Sequence, residues 1–297
     1  MLSVLIPTKD YDCCTLVRSL HEQVESLQQP CEIIVAEDGS SAEGLALNES
    51  LNRLPHCRII AQKNNIGRAK IRNLLAKEAK YPYLLFIDSD AIVENNTFLK
   101  KYIEALGENR VVCGGLYHAD KQPDENCSLR YRYEKKADKR RSAKIRNKQP
   151  YNNFATFNFA IEKELFLSIL FNEQITRYGH EDTLFGYVLR ERGVKIRHID
   201  NALLHSGLES NCVYLRKVEE SIETLVEISD EIDDTPLLSM AKRIERMHLT
   251  NIIATMWKAC NRMLKSNLLS RRPSITILNI YKLGYFCYLN RKQTKGK

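Results

Sequence analysis

The sequence has no run of about 18 uncharged apolar residues, so no segment is long enough to cross a bilayer as a helix. Its first residues, "MLSVLIPTKDYD", meet acids at once and lack the basic, apolar and small-residue layout of a signal peptide; none is expected. There are nine cysteines but no CxxC pair and no zinc-type spacing; Cys13 and Cys14 are adjacent and the others scattered. An odd, unpatterned set speaks against a disulfide framework and for a reduced compartment, so a cytoplasmic location is expected. The N-x-S/T triplets at Asn48, Asn95 and Asn126 then carry little meaning. Neither GxxxxGK[ST] nor GxGxxG occurs, which removes support for ATP hydrolysis and dinucleotide redox chemistry. Internal repeats and low-complexity tracts are absent too.

What is present is an ordinary globular composition, 43% hydrophobic and 28% charged. The 297 residues suffice for one large α/β domain, or for one domain and an accessory piece. The net charge of +8 is unevenly placed. Arg130 to Lys148 holds ten Lys/Arg against Glu134 and Asp138, and Lys242 to Lys297 holds thirteen against Glu245 alone, so the remainder is net acidic. Basic segments seek phosphates on nucleic acid, anionic lipid or a charged substrate, or else they are solvated helix faces.

Short apolar runs alternate with helical patterns. "SVLIPT" (3–8), "EIIVAEDGS" (32–40), "CRIIA" (57–61) and "YLLFIDSD" (83–90) read as strands. Residues 13–27, with Leu16, Val17, Leu20, Val24 and Leu27 at helical spacing, and residues 64–80 read as helices. Alternation of this kind implies a mostly parallel sheet, and strands that are apolar throughout imply helices on both of its faces.

In such a sheet the ligand site lies beyond the carboxyl ends of the strands. Asp10, Glu37, Asp38, Asp88 and Asp90 all follow predicted strands and are expected on that rim. Helix capping alone would account for Asp10 or Ser40. Five carboxylates together repel one another unless a cation or hydrogen-bond donors sit among them. The "DSD" of residues 88–90 suits a hard divalent ion, Mg²⁺ or Mn²⁺, which completes its shell with water and substrate phosphates. A phosphate-bearing substrate follows from that choice of ion.

The ordered set "SVLIPTKDYD", "VAEDGS", "NNIGRAKIRN", "FIDSD" and "YGHEDTLFGYVLRERG" resembles the family 2 glycosyltransferases of GT-A fold over roughly residues 1–207. The resemblance implies a Rossmann-like α/β domain, a nucleotide-sugar donor, a Mn²⁺ or Mg²⁺ cofactor and inversion at the anomeric carbon. It places Pro7, Thr8 and Asp10 in the first nucleotide-contacting turn. It puts Asp38, with Glu37 beside it, at the base, usually uracil. Gly67 and Arg72 match the segment near the nucleotide, Asp88 the acid near ribose and metal, and Asp90 the metal ligand. Asp182 matches the catalytic base, and Glu181 the acid that contacts donor or acceptor hydroxyls. Acids in the first turn of a helix can equally be caps, and the helix dipole keeps them ionised in either case. His205 matches a histidine that some members place on the metal, Asn158 approaches the sugar, and His180 stands where the pattern more often has glycine. His198 is read as packing or bonding locally.

The expected organisation is a catalytic domain over 1–207, with a basic lid or acceptor segment at 130–150, and a helical, basic extension over 208–297. Within the extension "SITILNIYKLGYFCYL" (274–289) is apolar and too short to span comfortably. It points to an interfacial segment, an oligomer contact or a cap on the catalytic domain. The implied function is transfer of a sugar, from a UDP-sugar, to a glycan or lipid-linked acceptor at the inner face of a membrane, with peripheral contact to anionic lipid and no nucleic acid. A sugar-phosphate nucleotidylyltransferase would carry a glycine- and arginine-rich loop after its first strand, which "IPTKDYDCC" is not. A basic nucleic-acid-binding module is the alternative from another class, and the rim acids argue against it. The intact D-x-D and E-D pairs argue against a binding-only relative.

Overall fold

The computed structural model describes residues 1–121, 124–232 and 235–296, with side chains described as far as residue 292. Lys295 and Lys297 of the basic tail therefore lie outside the described side chains. The strands are β1 (Leu2–Thr8), β2 (Cys31–Asp38), β3 (Cys57–Gln62), β4 (Tyr83–Ile87), β5 (Ala91–Ile92), β6 (Val111–Cys113), β7 (Leu116–Tyr117), β8 (Asn158–Glu162), β9 (Ile196–His198) and β10 (Leu203–His205). The helices are α1 (Cys14–Ser26), α2 (Ala42–Asn48), α3 (Arg68–Glu78), α4 (Phe98–Leu106), α5 (Ser128–Asp138), α6 (Ala143–Arg146), α7 (Lys163–Ile169), α8 (Glu181–Glu191), α9 (Asn211–Glu227), α10 (Pro236–Arg246), α11 (Thr250–Leu268) and α12 (Ile275–Gly296). They form two compact units. One comprises 1–119, 138–176 and 181–207, and the other 120–137, 177–180 and 208–297.

The first unit is built on a seven-stranded sheet of order β3-β2-β1-β4-β8-β6-β9. Every pairing is parallel except those of β8, which runs antiparallel to both β4 and β6. A second sheet, β5-β10-β7, has three short strands. The α/β architecture with a mostly parallel sheet is thus the one expected, with one reversed strand that the apolar pattern of "NFAI" does not announce.

Side chains alternate across a strand, so successive residues of β1 serve two cores. Val4 and Ile6 join Leu16, Val17 and Leu20 of α1 on one face. Leu5 joins Ala69, Ile71 and Leu75 of α3 on the other. With both faces covered, the strands have no solvent side to mark with polar residues. The α3 face also holds an aromatic cluster in which Phe86 stacks on Phe159 at 4.9 Å and Phe154, Phe166, Phe171 and Phe185 close around them. Phe159 is fully buried, and truncating such a ring to alanine typically costs about 3–5 kcal/mol.

The second unit is helical. Trp257 of α11 lies 5.8, 5.1 and 4.8 Å from the rings of Tyr281, Tyr285 and Tyr288 on α12. A Cβ on Gly284 would meet Trp257 at 2.5 Å, so the close approach of the two helices depends on that glycine. The hydroxyls of Tyr281 and Tyr285 donate to Glu219 and Glu223 of α9 at 2.5 and 2.6 Å, which satisfies the polar ends of otherwise apolar side chains. The apolar run of 274–289 is therefore spent largely on helix packing: Leu278, Tyr281, Phe286 and Cys287 are buried.

Two basic stretches differ from their sequence patterns. Residues 244–272 are broken after α10, where His248 takes a φ of +58°, before α11 begins at Thr250. Residues 130–148 are split between α5 and the short α6. Among the described residues no helix is long and apolar enough to cross a membrane.

Candidate active site

The rim acids do not repel one another, because each has its own partner. Asp12, not Asp10, accepts the Cys14 N–H at the start of α1, at 2.9 Å. Asp10, at φ +48°, reaches instead across to the Ser41 N–H at 2.7 Å, and that bond holds its carboxyl below the usual range. Ser40 Oγ accepts the Asp10 N–H at 2.9 Å and donates to Glu37 at 2.5 Å. Glu37, fully buried, also accepts from Asn48 at 2.7 Å, so it braces the loop below the site. Asp38 ends β2 on the opposite face and accepts the Ile66 and Gly67 N–H groups at 2.6 and 3.1 Å, which fixes the turn into α3. Gly39 at φ +70° makes this crossing possible: a Cβ there would lie 2.2 Å from the Asn65 nitrogen. Pro7 and Thr8 close β1 beside them, and Thr8 donates to the Tyr11 carbonyl at 3.4 Å.

Gly67, at φ +92°, precedes α3 and turns its first residues toward the β4 end. One turn on, Arg72 is 2% exposed and donates to Asp88 Oδ1 at 2.6 Å. The same guanidinium stands 3.7 Å from Glu181 Oε1 and 5.9 Å from the centre of the Phe171 ring. A buried cation between two carboxylates joins the end of β4 to the start of α8, the two motifs that the sequence keeps far apart. Asp182, next to Glu181, is only half-buried. Burial and the Glu181 charge push its pKa up to about 6, against the opposing Thr183 N–H bond at 2.7 Å. An acid so placed exchanges a proton near neutrality. The residue before α8, His180, has a φ of +66°, a left-handed conformation that explains why glycine suits this position.

Asp90 pairs with His205 across the small sheet, Oδ2 to Nε2, at 3.0 Å. Gly207 lets them meet, since a Cβ there would fall 2.0 Å from Asp90 Oδ2. The His205 ring is itself held: its Nδ1 is 3.1 Å from His118 Nε2, and Phe157 lies edge-on to it at 5.1 Å. A hard divalent cation fits this pair. Among the described residues no three His, Cys, Asp or Glu side chains gather into a metal cluster. The chain would supply Asp90 and His205, with water and phosphate oxygens completing the shell, the usual arrangement for Mg²⁺-like ions.

Asn158 has another task. Its amide nitrogen donates to the Gly115 and Asn201 carbonyls, both at 3.0 Å, and its oxygen accepts from Tyr102. Both amide hydrogens are thus committed to the framework rather than to a ligand. His198 bonds locally, to the Pro150 carbonyl at 2.9 Å and Arg146 at 2.6 Å, and burial pushes its pKa down to about 4. Arg146, from the basic stretch, is 5% exposed and donates to the Arg141, Cys113, Gly114 and Ile199 carbonyls, which makes it a strut. His118 and Asp138 are site neighbours that sequence reasoning passed over. The signal for His118 was available: it follows the apolar run "RVVCGGLY" as the acids follow theirs.

Known proteins resemble this chain at a distance. It is 26% identical over 271 residues to glycosyltransferase GlyG of Streptococcus pneumoniae, covering 85% of this chain and 86% of that protein. It is 25% identical over 209 residues to the chondroitin synthase of Escherichia coli, covering 59% of this chain. The chain spans only 30% and 24% of the length of the E. coli and Pasteurella multocida chondroitin synthases. Among solved structures, S. aureus TarS (residues 1–349) superposes with a TM-score of 0.54 at 16% identity, covering 100% of this chain and 92% of that one. Mannosyltransferase PcManGT from Pyrobaculum calidifontis superposes at 0.55 with 13% identity, covering 99% and 83%. These structures share the GT-A fold. The family description "Glycosyl transferase family 2" matches residues 3–169, more than half of the chain, and the chain belongs to that family.

Proposed function

We propose that the chain transfers a sugar from a UDP-sugar to a hydroxyl of a glycan or lipid-linked acceptor, with inversion at the anomeric carbon. The observation that carries this reading is the Arg72 bridge, which joins the nucleotide-side acid Asp88 to the Glu181–Asp182 pair. A donor bound along the ends of β1, β2 and β4 would then have its sugar next to an acid that titrates near neutrality. TarS, of the same fold, was solved with UDP and with UDP-GlcNAc, and PcManGT with GDP-Man and Mn²⁺.

In this reading Pro7, Thr8, Asp10 and the Asp38–Gly67 turn form the nucleotide seat. Asp90 and His205 would hold the divalent cation, which when bound supplies Lewis-acid stabilisation of the leaving diphosphate. Asp182 accepts the proton of the acceptor hydroxyl as the new carbon–oxygen bond forms and the bond to the diphosphate breaks. Glu181, kept in place by Arg72, orients a sugar hydroxyl.

The second unit supports peripheral attachment to anionic lipid. Ile252, Met256 and Met263 expose 55, 61 and 68% of their surface along one side of α11. Lys258 and Arg262, both exposed, flank them. An apolar stripe edged with cations suits the interface of such a membrane.

The donor reading is tested by thermal shift with UDP, GDP and their sugars, with and without Mn²⁺. A ligand of the folded state raises the melting temperature. UDP with Mn²⁺ is expected to give the largest rise, and no rise with any nucleoside diphosphate would end the proposal.

A further inference from the structure

Behind the Asp90–His205 pair runs a buried chain of polar groups. His118 is 2% exposed and His205 6%. Their rings meet edge-on, 5.2 Å between centres at 82°, with His118 Nε2 3.1 Å from His205 Nδ1. On its far side His118 Nδ1 is 3.1 Å from Asp138 Oδ1 and 3.2 Å from Arg141 Nη1, and the His118 backbone N–H donates to Asp138 Oδ2 at 3.1 Å. Arg141 in turn donates to Asp138 Oδ1 at 2.9 Å. Two of the three partners of His118 thus come from one carboxylate, which clamps the ring from both its backbone and its edge.

We propose that His118 and Asp138 are positioning residues that set the tautomer of His205, so that His205 turns an unprotonated Nε2 toward Asp90 and the cation shared with it. The proposal rests on the reading of Asp90 and His205 as cation ligands. A neutral imidazole carries one N–H, so two neutral rings in contact can be protonated in only two consistent ways. In the first, His118 Nδ1–H donates to Asp138, His118 Nε2 accepts from His205 Nδ1–H, and His205 Nε2 is a lone pair. That lone pair then faces Asp90 Oδ2 at 3.0 Å, two electron-rich atoms converging where a cation belongs. In the second, Arg141 donates to His118 Nδ1 and every proton in the chain reverses. His205 then directs an N–H at Asp90 and closes the position to a metal.

Asp138 decides between the two, because a carboxylate can only accept. Its pairing with Arg141 keeps it ionised and leaves His118 as its second donor. A ligand histidine commonly gives its other N–H to a carboxylate, and here a second imidazole is interposed between ring and acid. The arrangement lets a carboxylate on the distal side of the fold hold the metal-facing nitrogen bare.

The test uses the full chain and two readouts other than turnover. Mn²⁺ affinity in the presence of UDP, followed by the free-Mn²⁺ spin resonance signal, is compared for the parent, His118→Phe, His118→Gln and Asp138→Leu. Loss of an outer partner of this kind typically weakens metal binding about 10- to 100-fold. His118→Phe and Asp138→Leu are expected in that range, while His118→Gln, which retains an acceptor, recovers part of the loss. Because the two apolar variants bury a changed surface, the parent itself provides the second readout. Long-range proton–nitrogen correlation of its histidines with Mg²⁺ and UDP should report His205 protonated at Nδ1. Protonation at Nε2, or folded variants that bind Mn²⁺ within about twofold of the parent, would overturn the proposal alone. A parent that takes up no Mn²⁺ in the presence of UDP would overturn the cation reading and this proposal with it.

Discussion

The Arg72 guanidinium donates to Asp88 at 2.6 Å from a side chain that is 2% exposed, and it is the bond on which the two halves of the site depend. Arg72 belongs to the helix after β3, Asp88 to the turn after β4. The arginine also faces Glu181, so removing it leaves two carboxylates close together with no cation between them.

Arg72→Met is therefore expected to destabilise the fold. Breaking a fully buried pair costs about 3–5 kcal/mol, and Asp88 retains 24% exposure, so a loss of roughly 2–3 kcal/mol is expected. Denaturant unfolding measures it. A loss under about 0.5 kcal/mol would place the arginine among ordinary surface residues.

Asp182→Asn keeps the size of the side chain and removes its ability to take a proton. Transfer should fall by about 10²–10⁴, the usual contribution of a positioned base, while UDP binding persists. A variant with near-parental turnover would assign the proton transfer to another residue. Glu181→Gln should instead weaken substrate affinity.

The elevated pKa of Asp182 has opposite effects on rate and stability. A base must be unprotonated, so the rate should rise with pH up to about 6 and level off above it. For stability, a carboxyl whose pKa is raised on folding binds more protons folded than unfolded. Its contribution thus favours folding below the ordinary carboxyl range and is lost as pH rises toward 6. Asp182→Asn should accordingly be more stable than the parent at pH 7, with the difference shrinking toward pH 4. Parallel unfolding curves across that range check the sign, and a variant less stable than the parent at pH 7 would contradict it.

Gly39→Ala tests the turn under the nucleotide seat. The φ of +70° alone costs an L-residue about 1–2 kcal/mol. The new methyl would also lie 2.2 Å from a backbone nitrogen, which cannot move aside cheaply. The loss should exceed that of Gly193→Ala, where φ is +64° and the Cβ would meet nothing within 4 Å. Equal losses at the two positions would remove the steric part of the argument.

Attachment to anionic lipid is checked by sedimentation with phosphatidylserine-containing vesicles. Each basic residue near such a surface contributes about 1 kcal/mol. The parent should pellet at low salt, and Met256→Asp with Met263→Asp should stay in solution. If the parent fails to pellet with anionic vesicles, α11 is not a lipid-binding face.

Much of the fold was legible because it is written at short range. The spacing of Leu16, Val17, Leu20 and Val24 is a helix whatever packs on it, and residues 14–26 are one. The unbroken apolar runs of β1, β2 and β4 announced a sheet covered on both sides, since a strand with no solvent face needs no polar alternation. Illegible were the reversal of β8 and the break at His248. Strand direction is settled by which neighbours are available, and a left-handed residue has no apolar signature.

The site divides in the same way. The sequence by itself placed acids after strands and an acid pair at a helix start, because strand ends and helix starts are local features with local composition. Only the tertiary structure decided what each acid does. Glu37 and Asn158 are spent on bracing loops, Asp38 on a turn, and Arg72 on joining Asp88 to Glu181. His118 and His205 meet across 87 residues of chain. Such partners are chosen by which buried polar groups the packing brings within hydrogen-bond reach, and a buried group left without one is costly. That choice depends on the whole fold at once, and no stretch of sequence contains it.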